Sequence, residues 1–145
     1  MKKLSYAVLK EQGYDGYLLE SAPERVLQFG EGNFLRAFVD YFIDELNEKA
    51  GFNSKVVLCQ PIAPDLDDRF NEQEGLYTLF LRGFQDGKKI NKKRVISCVS
   101  RCLNPYKDFE AVLACADNPD LRFIVCNTTE AGITYDSSCQ FTDVP

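Results

Sequence analysis

The chain has 145 residues, 45% of them apolar, which is enough for one domain with a hydrophobic core. Its 17 basic and 22 acidic residues give a net charge of −5. This balance argues against nucleic acid or an anionic membrane as the main partner, because both require a clustered basic surface. Histidine is absent, which removes the commonest general base and metal ligand.

The six cysteines show neither a Cys-x2-Cys pair nor the spacing of a disulfide framework. Several lie in apolar runs, where a free cysteine behaves as a small hydrophobic residue. Cys98 and Cys102 are the one close pair, and without histidine we expect no metal site. The apolar stretch at residues 4–9 ends at Lys10 and is too short for a secretory signal, so we expect a reducing cytoplasm.

The first part of the chain predicts a lead-in, a strand and a long helix. Residues 1–24 mix charge, tyrosine and glycine, and we expect an irregular segment with a short helix near residues 4–11. The apolar run at residues 26–29 predicts a buried strand. From Asn33 to about residue 50 the spacing is helical, with Asn33 as N-cap and Gly51 as the stop. We expect a buried aromatic stripe of Phe34, Phe38, Phe42 and Leu46, with Asp40, Asp44, Glu45 and Glu48 off it or at its edge.

The middle of the chain predicts a second strand and a hairpin. The apolar run at residues 55–60 is typical of a parallel strand covered on both faces, so strand, helix and strand form a βαβ unit. Residues 65–71 predict a short helix. Two β-rich runs, at residues 76–84 and 94–99, lie on either side of Asp86-Gly87, which is a strong hairpin signal.

The last part returns to alternation of helix and strand. Helical spacing at residues 106–116 precedes an apolar run at residues 121–126, which predicts another buried parallel strand. Residues 134–145 are polar and add no further element. The pattern favours an α/β fold: a Rossmann-like, doubly wound and mainly parallel sheet with a β-hairpin insertion.

The join between the first strand and the long helix is the leading candidate for a ligand site. Gly30 allows a sharp turn, Gly32 lets a ligand approach bare backbone, and free N–H groups at the helix start favour an anion. The candidate coenzyme-binding residues here are Gly30, Glu31, Gly32, Asn33, Phe34 and Arg36. The Gly-x-Gly-x-x-Gly fingerprint is incomplete, because Leu35 stands at its last position. A tight turn without a ligand and a solvated Arg36 are the open alternatives.

Two later segments are expected at the same edge, because ligands bind outside the carboxyl ends of parallel strands. Gln60 stands where dinucleotide enzymes usually carry an acid for the adenosine ribose. It can bond a hydroxyl, which favours NAD, but it has no charge to repel the 2′-phosphate of NADP. Further candidates for a ribose or the nicotinamide amide follow the last strand: Asn127, Thr128, Thr129 and Glu130. The two threonines are equally suited to capping a following helix with Glu130.

Three segments together resemble the amino-terminal domain of the polyol-specific long-chain dehydrogenases, the mannitol dehydrogenase family. They are residues 29–37, 56–61 and 124–133. The Gly-x-Gly-x-Phe-x-Arg-Ala form and the later Thr-x-Glu-x-Gly carry the resemblance, which covers nearly the whole chain from about residue 20.

The resemblance implies a metal-independent, NAD-dependent enzyme that transfers a hydride at a secondary carbinol of a sugar acid. It places the phosphate turn at residues 30–36 and the nicotinamide loop at residues 128–130, while Gln60 departs from relatives with an acid there. The family's catalytic lysine lies in a Lys-x4-Asn-x2-His motif of a helical carboxyl-terminal domain, and this chain has no such arrangement. We therefore expect residues 25–145 to be a coenzyme-binding domain, with residues 1–24 packed on it. The catalytic residues and the sugar-acid contacts are expected in a domain outside this chain.

Two other functions use the same glycine turn. One is a non-catalytic nucleotide-sensing module. The other is a methyltransferase-like domain that binds S-adenosylmethionine, although the lack of an acid after the second strand argues against it. The residues predict no nucleic-acid or membrane partner and leave the oligomeric state open.

Overall fold

The computed structural model describes residues 3–60, 66–128 and 130–143 of the chain. The helices and strands, in chain order, are α1 (Tyr6–Glu11), β1 (Glu24–Phe29), α2 (Asn33–Ala37), α3 (Val39–Ala50), β2 (Lys55–Cys59), α4 (Leu66–Glu72), β3 (Tyr77–Gln85), β4 (Lys88–Ile96), β5 (Val99–Leu103), α5 (Phe109–Leu113) and β6 (Phe123–Cys126). Short 3-10 helices cover Ala114–Asp117 and Glu130–Ile133.

The main sheet is parallel, with the strands in the order β5-β2-β1-β6. This is the order of the first strands of a Rossmann fold, so the predicted fold class is confirmed. β3 and β4 form a separate antiparallel hairpin. Its turn residues Asp86 and Gly87 have φ of 52° and 73°, as a two-residue hairpin turn requires.

The predicted bounds of the second hairpin strand are wrong. β4 ends at Ile96, and Val99 begins β5, a strand of the main sheet that the sequence analysis missed. Ser97 and Cys98 separate the two strands, and both the N–H and the hydroxyl of Ser97 donate to Asp44. The chain therefore changes sheets through a side-chain contact, without the glycine or proline that marks a turn.

The two faces of the sheet have separate cores. One lies between the sheet, α3, α4 and the hairpin, and its buried residues are Val26, Ile43, Val56, Leu58, Phe70, Tyr77, Ile96, Cys98, Val99 and Cys102. The other lies against α5, with Leu27, Val57, Cys59, Val112 and Cys115. The predicted helix of the lead-in is present as α1, and Leu9 packs on Leu76 and Val95 of the hairpin region.

The buried face of the long helix is not the predicted one. The helix is interrupted at Phe38, and the stripe of Phe34, Phe38, Phe42 and Leu46 is 47–60% exposed. Asp40 and Asp44, expected at or beyond the edge of the buried face, are fully buried. The reason is that Tyr77, Arg94 and Ser97 on the hairpin side form hydrogen bonds with these two carboxyl groups. Gly51 ends the helix in a left-handed conformation (φ 63°), as predicted.

The predicted buried strand at residues 121–126 also differs in its environment. β6 pairs only with β1 among the described strands, so it lies at the edge of the sheet. Phe123 is 53% and Ile124 66% exposed. No helix within the described part of the chain is long and apolar enough to cross a membrane.

Candidate functional site

The sheet topology brings the predicted loops to one edge. Phe29, at the end of β1, lies opposite Cys59 of β2 and Cys126 of β6. Gly30, Gln60 and Asn127 therefore follow three neighbouring strands. β2 and β6 lie on opposite sides of β1, which makes this edge the point where the strand order reverses and where α/β proteins bind ligands.

The two glycines of the turn have different roles. Gly30 has a φ of +119°, its N–H donates to the Cys59 carbonyl at 2.9 Å, and an added Cβ would lie 3.0 Å from Leu35 Cδ1. The path of the chain itself therefore requires glycine at position 30. Gly32 has an ordinary φ of −67°, and an added Cβ would meet nothing within 4 Å. The chain does not require glycine at position 32, and the space beside its bare backbone is open.

The helix start is not capped by a side chain. Gly32 is the N-cap, so the predicted capping role of Asn33 is wrong. The Asn33 side chain is engaged elsewhere, because its Oδ1 accepts a hydrogen bond from Arg36 Nη2 at 2.5 Å. The first helical bond runs from the Arg36 N–H to the Gly32 carbonyl, which leaves the amides of the preceding turn without intrahelical partners. These amides are suited to an anion.

Arg36 is held beside the turn by aromatic rings. Its guanidinium carbon lies 5.2 Å from the Phe70 ring centroid and 5.6 Å from that of Tyr77. Arg69 and Gln73 join these three residues in lining a depression of about 180 Å³. The sequence analysis missed Arg69; its place in the helix after β2 is the signal that could have indicated it.

Gln60 is fully buried. Its side-chain Oε1 accepts a hydrogen bond from the N–H of Asp67 at 3.0 Å, and its backbone N–H donates to the Leu103 carbonyl. Lys107 pairs at 3.0 Å with both Asp67 and Asp68 beside it. Gln60 thus supports the start of α4, and its contact with a ribose stays a prediction. The acidic pair and its lysine were not among the predicted site residues.

The third segment is partly described. Asn127 and Thr128 are exposed at the end of β6, and Thr128 Oγ1 lies 3.8 Å from Cys126 Sγ. Thr129 and the side chain of Glu130 lie outside the described residues. A 3-10 helix begins at Glu130. The ligand role of these four residues stays a prediction.

A buried polar cluster lies beneath the glycine turn and was missed by the sequence analysis. Gln28 Nε2 donates to the Gly30 carbonyl at 3.1 Å. The Tyr77 hydroxyl oxygen lies 2.8 Å from the Arg36 carbonyl oxygen and 3.1 Å from Asp40 Oδ2. Burial raises the pKa of Asp40 to about 7, although the nearby polar groups of Tyr77 and Gln28 and the charge of Arg36 oppose the shift. Burial and the neighbouring Asp40 also raise the pKa of Tyr77.

The polar groups at this edge are suited to binding; Asn33, Asn127 and Thr128 are exposed, and Glu31 and Arg36 are half-buried. The polar groups comprise backbone N–H groups, the Arg36 guanidinium and the polar side chains of Glu31, Asn33, Asn127 and Thr128. Within the described ranges, no three cysteine or acidic side chains come together as a metal site would require. Such a set can hold a phosphorylated, hydroxyl-rich ligand through charge and hydrogen bonds.

Comparison with known proteins places these features in one family. The family described as the mannitol dehydrogenase Rossmann domain matches residues 24–141. The altronate oxidoreductase of Phocaeicola vulgatus is 48% identical over 123 residues, which cover 85% of this chain and 26% of that protein. The altronate oxidoreductase of Bacillus subtilis is 46% identical over 137 residues, or 94% of this chain and 28% of that protein. The chain therefore spans about a quarter of the length of these relatives.

Solved structures share the fold. Mannitol 2-dehydrogenase of Pseudomonas fluorescens, in a ternary complex with NAD and D-mannitol, superposes with a TM-score of 0.73 at 23% identity, over 87% of this chain and 26% of that chain. Substrate-free D-sorbitol dehydrogenase superposes with a TM-score of 0.70 at 24% identity, over 84% of this chain and 25% of that chain. These similarities extend to the parallel sheet and its helices. The family match over most of the sequence confirms the predicted resemblance, and the chain belongs to the mannitol dehydrogenase family, as a Rossmann domain of that family.

Proposed function

We propose that this chain is the NAD-binding domain of an enzyme that interconverts altronate and tagaturonate. The observation that carries the proposal is the bare backbone at Gly32, which opens an uncapped helix start at the reversal point of the sheet. The names of the altronate oxidoreductases support the substrate, and the NAD complex of the mannitol enzyme supports the coenzyme. The comparisons favour neither the sensing module nor the methyltransferase-like domain.

The residues of the site fit a dinucleotide. The amides around Gly32 and the charge of Arg36 would hold the pyrophosphate, with Gly30 fixing the path of the turn. Asn127 and Thr128 would bind the nicotinamide half, together with Thr129 and Glu130. Gln60 would bind the adenosine ribose. Because its side-chain oxygen accepts a hydrogen bond from the N–H of Asp67 in α4, the position of α4 would determine the position of Gln60. When bound, NAD accepts a hydride from the carbinol carbon of the substrate.

We place the chemistry of the substrate in a further domain. Residues 25–145 would be the coenzyme domain and residues 1–24 a segment packed on it. Support comes from apolar side chains that are exposed on this chain, at the helix stripe and on the edge strand: Phe34, Phe38, Phe42, Leu46, Phe123 and Ile124. Contiguous surfaces of this kind are usually covered by protein. All six cysteines are free thiols, which suits a reducing cytoplasm.

Titration of the chain with NADH tests the proposal. We expect saturable but weak binding, because the contacts of a second domain are missing, and a loss of about a hundredfold or more in Gly32→Val. A valine side chain at position 32 meets no protein atom within 4 Å of its Cβ, so the variant should fold normally and should lose affinity by occupying the ligand space. Gly83→Val is the matched control. Gly83 lies in the hairpin, and an added Cβ there also meets nothing within 4 Å.

The outcomes separate the alternatives. If a folded sample shows no saturable NADH binding at millimolar concentration, the NAD-binding role is wrong. Equal affinities for AMP, ADP-ribose and NADH would favour a nucleotide-sensing module. A thermal shift with S-adenosylmethionine and none with NADH would favour the methyltransferase-like domain. Unchanged affinity in Gly32→Val would remove Gly32 from the site.

A further inference from the structure

The polar cluster beneath the glycine turn has more acceptors than donors if Asp40 is ionised. Asp40 is fully buried and Gln28 is fully buried beside it. Asp40 Oδ1 and Gln28 Oε1 are both without a hydrogen-bond partner. Burying an ionised carboxylate that has one oxygen without a hydrogen bond costs much free energy. Burying a neutral acid costs less, because its oxygen without a partner is an uncharged carbonyl oxygen.

The Tyr77 hydroxyl gives the same result by counting protons. Its oxygen lies within hydrogen-bond distance of the Arg36 carbonyl and of Asp40 Oδ2, at 2.8 and 3.1 Å. A hydroxyl has one proton, and a backbone carbonyl can only accept. If the Tyr77 proton goes to the nearer Arg36 carbonyl, the hydrogen between Tyr77 and Asp40 must come from Asp40. The distances therefore fit a chain in which Asp40 donates to Tyr77 and Tyr77 donates to Arg36.

The charges around Asp40 do not provide a counter-ion. The titratable and charged groups that face it are Arg36, Asp44, Tyr77 and Cys98. Arg36 is the one cation among them, but its guanidinium bonds to Asn33 and lies against the rings of Phe70 and Tyr77. Asp44 adds a like charge. No ion pair of Asp40 occurs among the described residues, and a pKa raised to about 7 by burial agrees with this geometry.

We propose that Asp40 is a positioning residue that is held as a neutral acid in the folded chain, where its proton completes a hydrogen-bond chain that fixes the glycine turn for the coenzyme phosphates. This inference rests on the proposed function, because it takes residues 30–36 as the phosphate site. The cluster holds the turn at both ends: Gln28 bonds the Gly30 carbonyl and Tyr77 bonds the Arg36 carbonyl. Loss of the proton leaves the single Tyr77 hydrogen for two acceptors, so either Asp40 or the Arg36 carbonyl loses its hydrogen bond. It also places a negative charge beneath an anion site.

The neutral-acid state predicts a definite pH dependence. In the unfolded chain Asp40 has its ordinary pKa near 3.8, and in the folded chain it is raised to about 7. Between these values the folded chain alone holds the proton, so the contribution of Asp40 to stability falls as the pH rises and is lost above about pH 7. One proton corresponds to about a tenfold change in the unfolding equilibrium constant per pH unit.

The variant Asp40→Asn tests the proposal, because the asparagine amide can donate to Tyr77 as a neutral acid does. Asp117→Asn is the matched control, since Asp117 is exposed in the 3-10 helix after α5. Urea unfolding from about pH 5 to about pH 9 should show the wild-type and Asp40→Asn constants diverging by about tenfold per unit up to about pH 7. The control should follow the wild type. Parallel curves for wild type and Asp40→Asn would overturn the proposal.

A second measurement does not require the variant to fold. The side-chain carboxyl carbon of Asp40 in labelled wild-type chain should titrate near pH 7 by NMR, and the amides of Gly30 and Gly32 should shift with it. A midpoint below about pH 5 would show an ionised Asp40 and overturn the proposal. An Asp40→Asn chain that cannot fold would count against it too, because a neutral isostere should be tolerated.

NADH affinity distinguishes this inference from the proposed function. Wild-type affinity should fall by about tenfold between about pH 6 and about pH 8.5, and that of Asp40→Asn should stay constant. If both chains bind NADH with the same pH dependence, the positioning role is wrong and the coenzyme site stands. If neither binds NADH, the proposed function fails, and with it the coenzyme part of the inference, while unfolding and NMR still decide the protonation of Asp40.

Discussion

Asp40 and Asp44 lie one turn apart on α3 and are both fully buried, but their surroundings differ. Asp44 Oδ2 accepts from Arg94 Nε at 2.8 Å, and its Oδ1 accepts from the N–H of Ser97 at 2.9 Å. Asp40 has the hydroxyl of Tyr77 and one oxygen without a partner. Equal burial therefore leads to a paired carboxylate at one position and a neutral acid at the other, and the partners decide which.

The difference also separates two tasks. Arg94 and Ser97 belong to the end of the hairpin and the connection that follows it, so Asp44 fastens the second sheet to the helix. Asp40 is connected through Tyr77 and Gln28 to the backbone of the glycine turn. We expect substitutions at Asp44 to change mainly stability, and substitutions at Asp40 to change ligand affinity and the pH dependence of both affinity and stability.

The largest effect is expected from Asp44→Ala. It leaves the Arg94 guanidinium and the Ser97 N–H without their buried acceptor, which should lower the free energy of unfolding by about 3 kcal/mol. Urea unfolding at neutral pH measures this. Asp44→Asn is the control: it removes the charge but keeps an acceptor for Ser97, and should cost less. A loss under about 1 kcal/mol in Asp44→Ala would show that the ion pair is not what fastens the hairpin.

The sequence alone predicted the sheet, the hairpin and the turn, because each has a local signal. Apolar runs indicated β1, β2 and β6, Asp86-Gly87 indicated the hairpin, and Gly30 and Gly32 indicated the strand-to-helix turn. Where β4 ends and β5 begins could not be predicted, since the signal at Ser97 is a bond to Asp44, 53 positions earlier in the chain. Bonds over that distance leave no local pattern.

The prediction of the buried face of the helix was wrong for a related reason. Amphipathic patterning assigns aromatic residues to the core and acids to solvent, and Phe38 and Asp40 reverse this assignment. The polar partners of Asp40 and Asp44 come from the hairpin and the connection that follows it, while Phe38 is 51% exposed on the other side of the helix. The same limit applies to the candidate site: its glycines are visible in the sequence, while Gln28, Asp40 and Tyr77 meet only in the folded chain.

An intermediate effect is expected from Tyr77→Phe. It removes the hydroxyl between the Arg36 carbonyl and Asp40, so two buried groups lose a partner while the ring and its packing stay. We expect the free energy of unfolding to fall by about 2 kcal/mol near pH 6. Tyr135→Phe is the control, because Tyr135 is 87% exposed and its hydroxyl should contribute less than about 0.5 kcal/mol. Equal values for the two variants would show that the Tyr77 hydroxyl does not connect Asp40 to the turn.

The smallest effect is expected from Glu48→Gln, which compares an exposed partner of Arg94 with the buried partner Asp44. Glu48 also pairs with Arg94, at 2.6 Å, but its side chain is 38% exposed, whereas that of Asp44 is fully buried. Arg94 keeps Asp44 and Glu45 as partners when Glu48 is neutral. Water replaces the lost contact, so we expect a loss of about 0.5 kcal/mol in urea unfolding, and less at high salt. A loss of unfolding free energy equal to that in Asp44→Ala would mean that contact with Arg94 alone determines the stabilisation. A small loss would show that the contribution of an acid in this helix to stability depends on how completely its carboxylate is buried among its partners.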